Sequence, residues 1–295
     1  MNLASGKRIL ITGANGLIGH ELIKLLSGNN NIFAISSFKP EKENSNITRI
    51  HIDFNQDWDI SSLPGKIDIV YHLAQSEHFR DFPARASDIF SVNVGSTAKL
   101  LDYAGKAECK QFVYASSGGV YGNSNEEFTE ENKVTDSGDL GFYLSTKLCS
   151  EILAENYTNL FDVQIMRFFF AFGPRQRKDM LIPRLVESIK NKIAVKLQGK
   201  DGIKINPVFV SDAAVAIASL QTLKGSHKFN IAGKEIITLK KIAETIGEKL
   251  GVDVNFYITD TEPKHLIADI SKMKNHLVAP QLSFADGVDQ LIKSI

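Results

Sequence analysis

The side chains best placed to do chemistry are a serine, a tyrosine and a lysine near the middle of the chain. Ser117 lies in Ser116-Ser117-Gly118-Gly119-Val120-Tyr121-Gly122, at the end of an apolar run, and Tyr143 and Lys147 bracket Tyr143-Leu144-Ser145-Thr146-Lys147. On a helix, residues four apart share a side. A phenol ordinarily ionises near pH 10. An ammonium about 4–5 Å away contributes roughly 3–4 kcal/mol at an effective dielectric near 20, or some two to three pK units. Tyr143 is therefore expected to be acidified into the range where it exchanges a proton near neutrality. Ser117 can hold the same substrate oxygen by a hydrogen bond as charge develops on it. Tyr and Lys at this spacing are also common on solvated helix faces, so the pattern gains meaning from what precedes it.

What precedes it is a place for a phosphate. Ile9-Leu10-Ile11 reads as a strand buried on both faces, and Gly13, Gly16 and Gly19 follow at spacings of three before a helical pattern of Leu17, Ile18, Leu22, Leu25 and Leu26. A helix start offers unpaired N–H groups and partial positive charge, and a missing Cβ lets an anion approach the backbone. The spacing is GxxGxxG rather than the usual GxGxxG, and the plain alternative is an ordinary tight turn between strand and helix.

Apolar runs and helical patterns alternate after that turn. Strands are expected at 31–36, 48–52, 68–73, 111–116 and 163–168, with long helices at about 84–105 and 144–159. This order implies an α/β fold: a Rossmann-type doubly wound parallel sheet that binds ligands beyond the carboxyl ends of its strands. The alternation loosens after Pro174. Residues 175–295 are expected to form a smaller C-terminal substrate-binding lobe on a dinucleotide-binding domain of residues 1–174, with part of it able to return to the main sheet. That region carries helical patterns at 180–192, 212–223 and 239–250. Short strands are expected at 208–210, 228–231 and 254–258, and surface loops at 44–46 and 122–139.

Composition excludes several classes. Lys plus Arg equals Asp plus Glu, 34 each, so no charge excess draws the chain to nucleic acid or an anionic membrane. Two cysteines, Cys109 and Cys149, are too few and too far apart for a disulfide framework or a zinc site, and no metal site is expected. No apolar run approaches the roughly 20 residues a bilayer demands, and no apolar signal core precedes the first strand. A cytoplasmic location follows as the expectation. His72 has no second ligand at metal spacing and is read as structural, and Phe168-Phe169-Phe170 as strand core.

An ordered series of stretches resembles the extended short-chain dehydrogenases/reductases, and within them the nucleotide-sugar epimerase/dehydratase group. The series runs TGANGLIGHEL, Asp53-Phe54, His72-Leu73-Ala74, Asn93-Val94-Gly95-Ser96-Thr97, SSGGVYG, YLSTK, MRFFFAFGPRQ, NPVFVSDAAVAI and ADISKMKNHL. The resemblance implies catalysis by Ser117, Tyr143 and Lys147. It implies cofactor contacts from Gly13, Asn15, Gly16, Leu17, Ile18 and Gly19 at the pyrophosphate and from Asp53 and Phe54 at the adenine. Leu73, Ala74, Asn93, Ser116, Tyr143, Lys147 and Phe170 would lie toward the nicotinamide. Substrate contacts would come from Gln75, Ser117, Gly118, Tyr143, Phe170, Arg175 and Arg184. The implied reaction is hydride transfer between NAD(P) and a sugar carbon, C4 by expectation, by a 4-epimerase or a 4-ketoreductase. A homodimer through helices 86–104 and 145–158 is implied as well.

Four departures from the family pattern bear on the substrate. Relatives preferring NAD carry an acid at the end of the second strand, where this chain has Ser36, Ser37 and, nearby, Lys39 and Lys42. Without that carboxylate a ribose 2′-phosphate is not repelled, which favours NADP(H) over NAD(H). Gly118-Gly119 stand where 4,6-dehydratases carry Asp-Glu, so water elimination lacks its acid and base. Phe170 replaces the Asn of the relatives' R-x-F-N-x-x-G-P stretch, and Ile205 or Asn206 an Arg that grips the nucleotide; Arg175, Arg177, Arg184, Lys204 and Lys264 are candidate replacements. Gln75 and Ser76 stand where small residues are usual. A non-catalytic dinucleotide-binding sensor or scaffold is the competing class, and the complete Ser117, Tyr143 and Lys147 set argues against it.

Overall fold

In the computed structural model, which describes residues 4–37 and 46–295, β1 (Arg8–Thr12) leads into α1 (Leu17–Leu26), then β2 (Asn31–Ser36) and β3 (Ile47–His51). β4 (Ile69–His72) is followed by α2 (Ala86–Phe90), a π-helical turn at Ser91–Gly95 and α3 (Ser96–Lys106). β5 (Gln111–Ser117), α4 (Ser137–Glu155) and β6 (Asp162–Phe168) come next. The remainder comprises α5 (Leu181–Lys190), β7 (Val195–Gln198), β8 (Lys204–Ile205), α6 (Val210–Ser219) and β9 (His227–Ile231). It closes with β10 (Ile237–Thr238), α7 (Leu239–Leu250), β11 (Phe256–Thr259), α8 (Ser271–His276) and α9 (Phe284–Lys293).

Seven strands pair in the order β3-β2-β1-β4-β5-β6-β9, all parallel. Strand side chains alternate between faces, so a sheet covered on both sides needs apolar residues at every position. In β1, Ile9 and Ile11 join Leu22, Leu26, Ala213 and Ile217 on one side, while Leu10 joins Leu100, Leu101 and Phe112 on the other. The sheet order reverses between β1 and β4, which makes the carboxyl ends of those two strands the natural crevice. β9 lies beside β6, so this part of the chain beyond Pro174 belongs to the main sheet. A third apolar cluster, including Ile182, Val186, Leu197, Ile242, Ile246 and Val288, builds the C-terminal lobe with two small sheets, β10-β8 and β11-β7.

Several expected elements change in detail. Val208-Phe209-Val210 is not a strand: Phe209 makes one isolated bridge to Phe172, and Val210 already opens α6. The helix expected at 84–105 is divided by the π-helical turn. α4 starts earlier than expected and bends at Gly141, whose φ of +68° is left-handed and suits a residue without Cβ. The loop expected at 122–139 is not wholly on the surface, because Phe128 is buried and bridges Ala268. β7, β8, β10, α8 and α9 have no counterpart in the expectation; each is short or depends on contacts in the lobe.

One buried network ties the sheet's switch point together. His72, fully buried, has Nδ1 2.8 Å from Thr12 Oγ1 and Nε2 2.9 Å from Thr97 Oγ1. Thr97 already donates its hydroxyl proton to Asn93 O, so Nε2 must be the N–H donor and Nδ1 the acceptor from Thr12. Thr12 Oγ1 in turn accepts from Ala74 N. The ring is thus a neutral clamp among β1, β4 and the start of α3. Burial, then the charge of Lys147, push its pKa down from 6.5 to about 3.

A depressed histidine contributes stability that is complete above its unfolded value of 6.5 and is lost as pH falls through about 3. The full shift is worth roughly 4–5 kcal/mol. His72→Gln is expected to lower the urea-unfolding free energy at pH 7, and the deficit against wild type should shrink as pH is lowered from 6.5 toward 4. A deficit that stays constant with pH would contradict the neutral clamp.

Candidate active site

The glycine turn is shaped by how close two strand ends come. Gly13 takes φ +65°, and a Cβ there would sit 2.9 Å from the backbone of Leu73 and Ala74 at the end of β4. A Cβ on Gly19 would lie 2.3 Å from Gly13 O. Any side chain at either position would push the turn away from β4 or α1 away from the turn. α1 starts at Gly16 with no side-chain cap and no acidic residue in its first turn. Its first N–H groups are therefore left to an external acceptor, and the turn fits the pyrophosphate of a dinucleotide. Asn15 is exposed, Leu17 and Ile18 pack toward the C-terminal lobe, and Phe170 lies with them at an unusual φ of +47°.

β5 and α4 present the reactive groups. Ser117 ends β5 and caps the short helical turn Gly118–Tyr121, its Oγ accepting from Gly119 N at 3.2 Å. That bond leaves the hydroxyl proton to be given away. A Cβ at Gly119 would touch the side chain of Leu144, so this turn packs against the first straight part of α4. Tyr143 is half-buried there and donates from Oη to Gln75 Oε1 at 3.0 Å. Lys147, one turn further, is fully enclosed. Its Nζ donates to Ala115 O at 2.9 Å and stands 5.9 Å from the Tyr143 ring centre.

The electrostatics correct the expectation drawn from spacing. Burial pushes the Tyr143 phenol up rather than down. The lysine responds as well: burial lowers Lys147 from 10.5 to about 7, against the opposing pull of Glu151. A group half neutral near pH 7 and turned to a carbonyl is a weaker lever on the phenol than a full ammonium at 4–5 Å. Spacing placed the two on one side of the helix correctly. The sign of the phenol shift was set by desolvation.

Beneath them lies an ion pair almost without solvent contact. Glu151 Oε2 accepts from Arg167 Nη2 at 2.6 Å and Oε1 from Arg167 Nε at 3.0 Å, and Ser116 Oγ donates to the same Oε1 at 2.5 Å. The Ser116 hydroxyl is thereby committed to the interior. Asn93 is committed too: Oδ1 accepts from Ser76 N and Nδ2 donates to Thr146 Oγ1. It joins the segment after β4 to α4 and positions Gln75 beside Tyr143.

That segment forms a strap over the tyrosine. The Phe79 ring lies 5.0 Å from that of Tyr143, and Phe82 stacks on Phe142. Arg177 reaches back to Glu77 O and also bonds Asp179, which pairs with Arg80. Phe79, Arg80 and Asp179 were missed in the sequence; the signal for the first two was an aromatic and charged stretch, FRDFPAR.

Other expected site residues are scattered. Asp53 accepts from Asn55 N within its own loop, and Phe54 is buried against Trp58 and His72. Leu73 and Ala74 line the glycine turn as noted, and Ser36 and Ser37 end β2. Lys39 and Lys42 lie outside the described residues. Arg175 is exposed with φ +70° and stands near His20 of α1, whose imidazole it helps to depress after burial. It therefore faces the glycine turn, not the strap. Arg184 is exposed on α5, as are Lys204 and Lys264 in the lobe. Ile205 is fully buried and Asn206 is spent on the backbone of Ala268, so neither stands in for the missing Arg.

Comparison with known proteins gives the family and the fold. Residues 9–232 match the family described as NAD dependent epimerase/dehydratase. A UDP-glucose epimerase of Bacillus subtilis, itself described as uncharacterised, is 28% identical over 95% of this chain and 95% of its own. A UDP-glucuronate 4-epimerase of Thermodesulfobacterium geofontis is 30% identical over 77% of this chain and 72% of its own. Among solved structures, the UDP-glucuronic acid 4-epimerase of Bacillus cereus in complex with UDP-glucuronic acid and NAD superposes with a TM-score of 0.86. It is 26% identical and covers 97% of this chain and 98% of that one. Among the described residues no helix is long and apolar enough to cross a membrane.

The buried lysine makes a prediction of its own. Its folded pKa of about 7 lies below the ordinary 10.5, so its contribution to stability is complete above 10.5 and is lost as pH falls through about 7. Wild type should gain melting temperature relative to Lys147→Met as pH is raised from 7 to 9. A difference between the two that does not move with pH would show the amine to be fully charged in the fold.

Proposed function

We propose that this chain, which belongs to the NAD dependent epimerase/dehydratase family, moves hydride at C4 of a nucleotide-activated sugar and acts as an epimerase. The observation that carries this reading is the Tyr143 hydroxyl held at the carboxyl edge of the sheet, on the same helix turn as Lys147 and packed beside the Ser117 turn. The 4-epimerases among the relatives support C4 as the carbon and a uridine nucleotide as the carrier.

A nicotinamide dinucleotide bound at the glycine turn supplies the acceptor and donor of hydride. Gly13, Gly16 and Gly19 and the first N–H groups of α1 hold its pyrophosphate, with Asn15, Leu17 and Ile18 around it. As the phenolate, Tyr143 takes the proton of the sugar hydroxyl when the carbon is oxidised, and the phenol so formed returns that proton when the carbon is reduced, so the cycle ends with the proton where it began. The substrate oxygen takes the place of Gln75 as the phenol's partner. Ser117 donates its remaining proton to the same oxygen. Lys147, lowered by burial to about 7 and 5.9 Å from the Tyr143 ring centre, supplies positive charge that favours the phenolate whenever the amine is protonated. Phe79 shields the pair from water, and Gln75, Gly118 and Phe170 border the sugar.

Dehydration does not fit the Ser117 turn. A Cβ at Gly118 would stand 2.4 Å from the Phe169 ring, and no acid and base can be built there without moving that buried ring. A second reading, one-way reduction of a 4-keto sugar, is favoured by Ser36 at the end of β2, where a carboxylate would otherwise select NAD. A sensor without catalysis has no use for this tyrosine and lysine pair.

Tyr143→Phe should lower turnover about 10²–10⁴-fold while leaving dinucleotide affinity nearly unchanged. The assay is conversion of UDP-sugars to their C4 epimers, run beside NADPH oxidation with 4-keto sugar nucleotides. Activity in neither direction with wild type, or full activity in the variant, would overturn the proposal. Exposed Phe90 on α2 and Ile152 on α4 support a homodimer through these helices, so sedimentation at micromolar concentration should show two copies; a monomer refutes it.

A further inference from the structure

The carboxyl end of β2 carries a feature that neither the glycine turn nor the catalytic residues explain. Parallel pairing aligns Ile11, Ala34 and Arg49 across β1, β2 and β3, and aligns Ser36 with His51 one pleat nearer the strand ends. Ile11 and Ala34 face α1, so Arg49, in line with them, emerges on that face too. Its small neighbour Ala34 lets the side chain cross β2. The guanidinium ends 3.4 Å from Asn15 Oδ1, inside the glycine turn. Among the described residues no carboxylate pairs with it.

An arginine in the middle of a strand and half-buried normally has an anionic partner. Here its only hydrogen-bond partner among the described residues is a neutral amide at marginal distance. Next to it Ser36 ends β2 and Ser37 follows, and His51 Nε2 fixes the Ser37 carbonyl at 3.0 Å. His20 on α1 is depressed by burial first and then by Arg175, Lys24 and Arg49, with Glu21 acting the other way, so the guanidinium of Arg49 is felt at the start of that helix. In sheets of this topology the adenosine ribose hydroxyls lie beyond the end of β2. The position that repels a 2′-phosphate when it holds a carboxylate here holds Ser36, flanked by a guanidinium that no carboxylate among the described residues pairs with.

We propose that Arg49 is the residue that recognises a ribose 2′-phosphate, reaching it from β3 over Ala34 beside Ser36, and that the chain therefore takes NADP(H) in preference to NAD(H). The proposal rests on reading the glycine turn as a dinucleotide site. Its geometry differs from a basic residue on the loop after β2, because the charge comes from the neighbouring strand and is held by the sheet.

Calorimetric titration of the full chain, stripped of bound nucleotide, with NADP⁺, NAD⁺ and 2′,5′-ADP tests it. Wild type is expected to bind NADP⁺ about tenfold or more tightly than NAD⁺ and to bind 2′,5′-ADP. Arg49→Ala should abolish that preference and the 2′,5′-ADP signal while leaving NAD⁺ affinity within about threefold; Arg49→Lys should keep part of it. Arg49 is far enough toward the surface that its loss is not expected to unfold the chain, and a melting curve of each variant checks this. Wild type preferring NAD⁺, or Arg49→Ala weakening both dinucleotides equally, overturns the proposal and leaves the dinucleotide site standing. Failure to bind either dinucleotide overturns both.

Discussion

The placement of α4 depends on the ion pair between Glu151 and Arg167. It joins the helix that carries Tyr143 and Lys147 to β6, and through Ser116 to the end of β5. Burying two charges costs several kcal/mol each unless every polar atom is satisfied. Here both carboxylate oxygens accept, and the guanidinium also lies over the Tyr121 ring at 4.6 Å. Removing one partner of such a pair typically costs about 3–5 kcal/mol, so the helix cannot slide by a turn without a large penalty. The reactive groups inherit their precision from an interaction they do not themselves make.

A second consequence concerns Lys147. Burial drives its amine toward the neutral form, against the pull of Glu151, whose carboxylate is already paired with Arg167. The amine settles on a backbone carbonyl, Ala115 O, which keeps it 5.9 Å from the phenol ring. The strap from Gln75 to Phe82 then covers Tyr143 with the Gln75 amide and the Phe79 ring, and Arg177, Arg80 and Asp179 hold the strap to the segment before α5. Partial shielding of this kind strengthens any hydrogen bond made to a substrate oxygen as charge develops there. It also raises the cost of leaving a polar group unpaired, which explains why Gln75 already occupies the phenol.

Local patterns were read well where a few consecutive residues carry the physics. The apolar run Ile9-Leu10-Ile11 reports a strand covered on both faces, and the glycines report a turn with no room for Cβ. The long helices were legible, although the π turn and the Gly141 bend were not, since both arise from packing against neighbours. Ser116 and Asn93 were assigned to ligand contacts because their stretches belong to the family pattern. The fold uses their side chains internally, which no spacing rule reports. The short strands and helices of the lobe were missed because they have little periodicity and are held by cluster contacts rather than by their own propensity.

The sequence by itself determined the sheet class, the glycine turn between β1 and α1, and the shared helix face of Tyr143 and Lys147. Each follows from periods and spacings within a dozen residues, where chain geometry allows one answer. Tertiary structure decided what stands beside those groups. Gln75 meets Tyr143 from 68 residues away, Arg177 reaches Glu77 across 100, and Arg49 meets Asn15 across 34. It also decided the sign of the phenol's shift, because desolvation depends on everything that packs around a group, and no local pattern carries that sum.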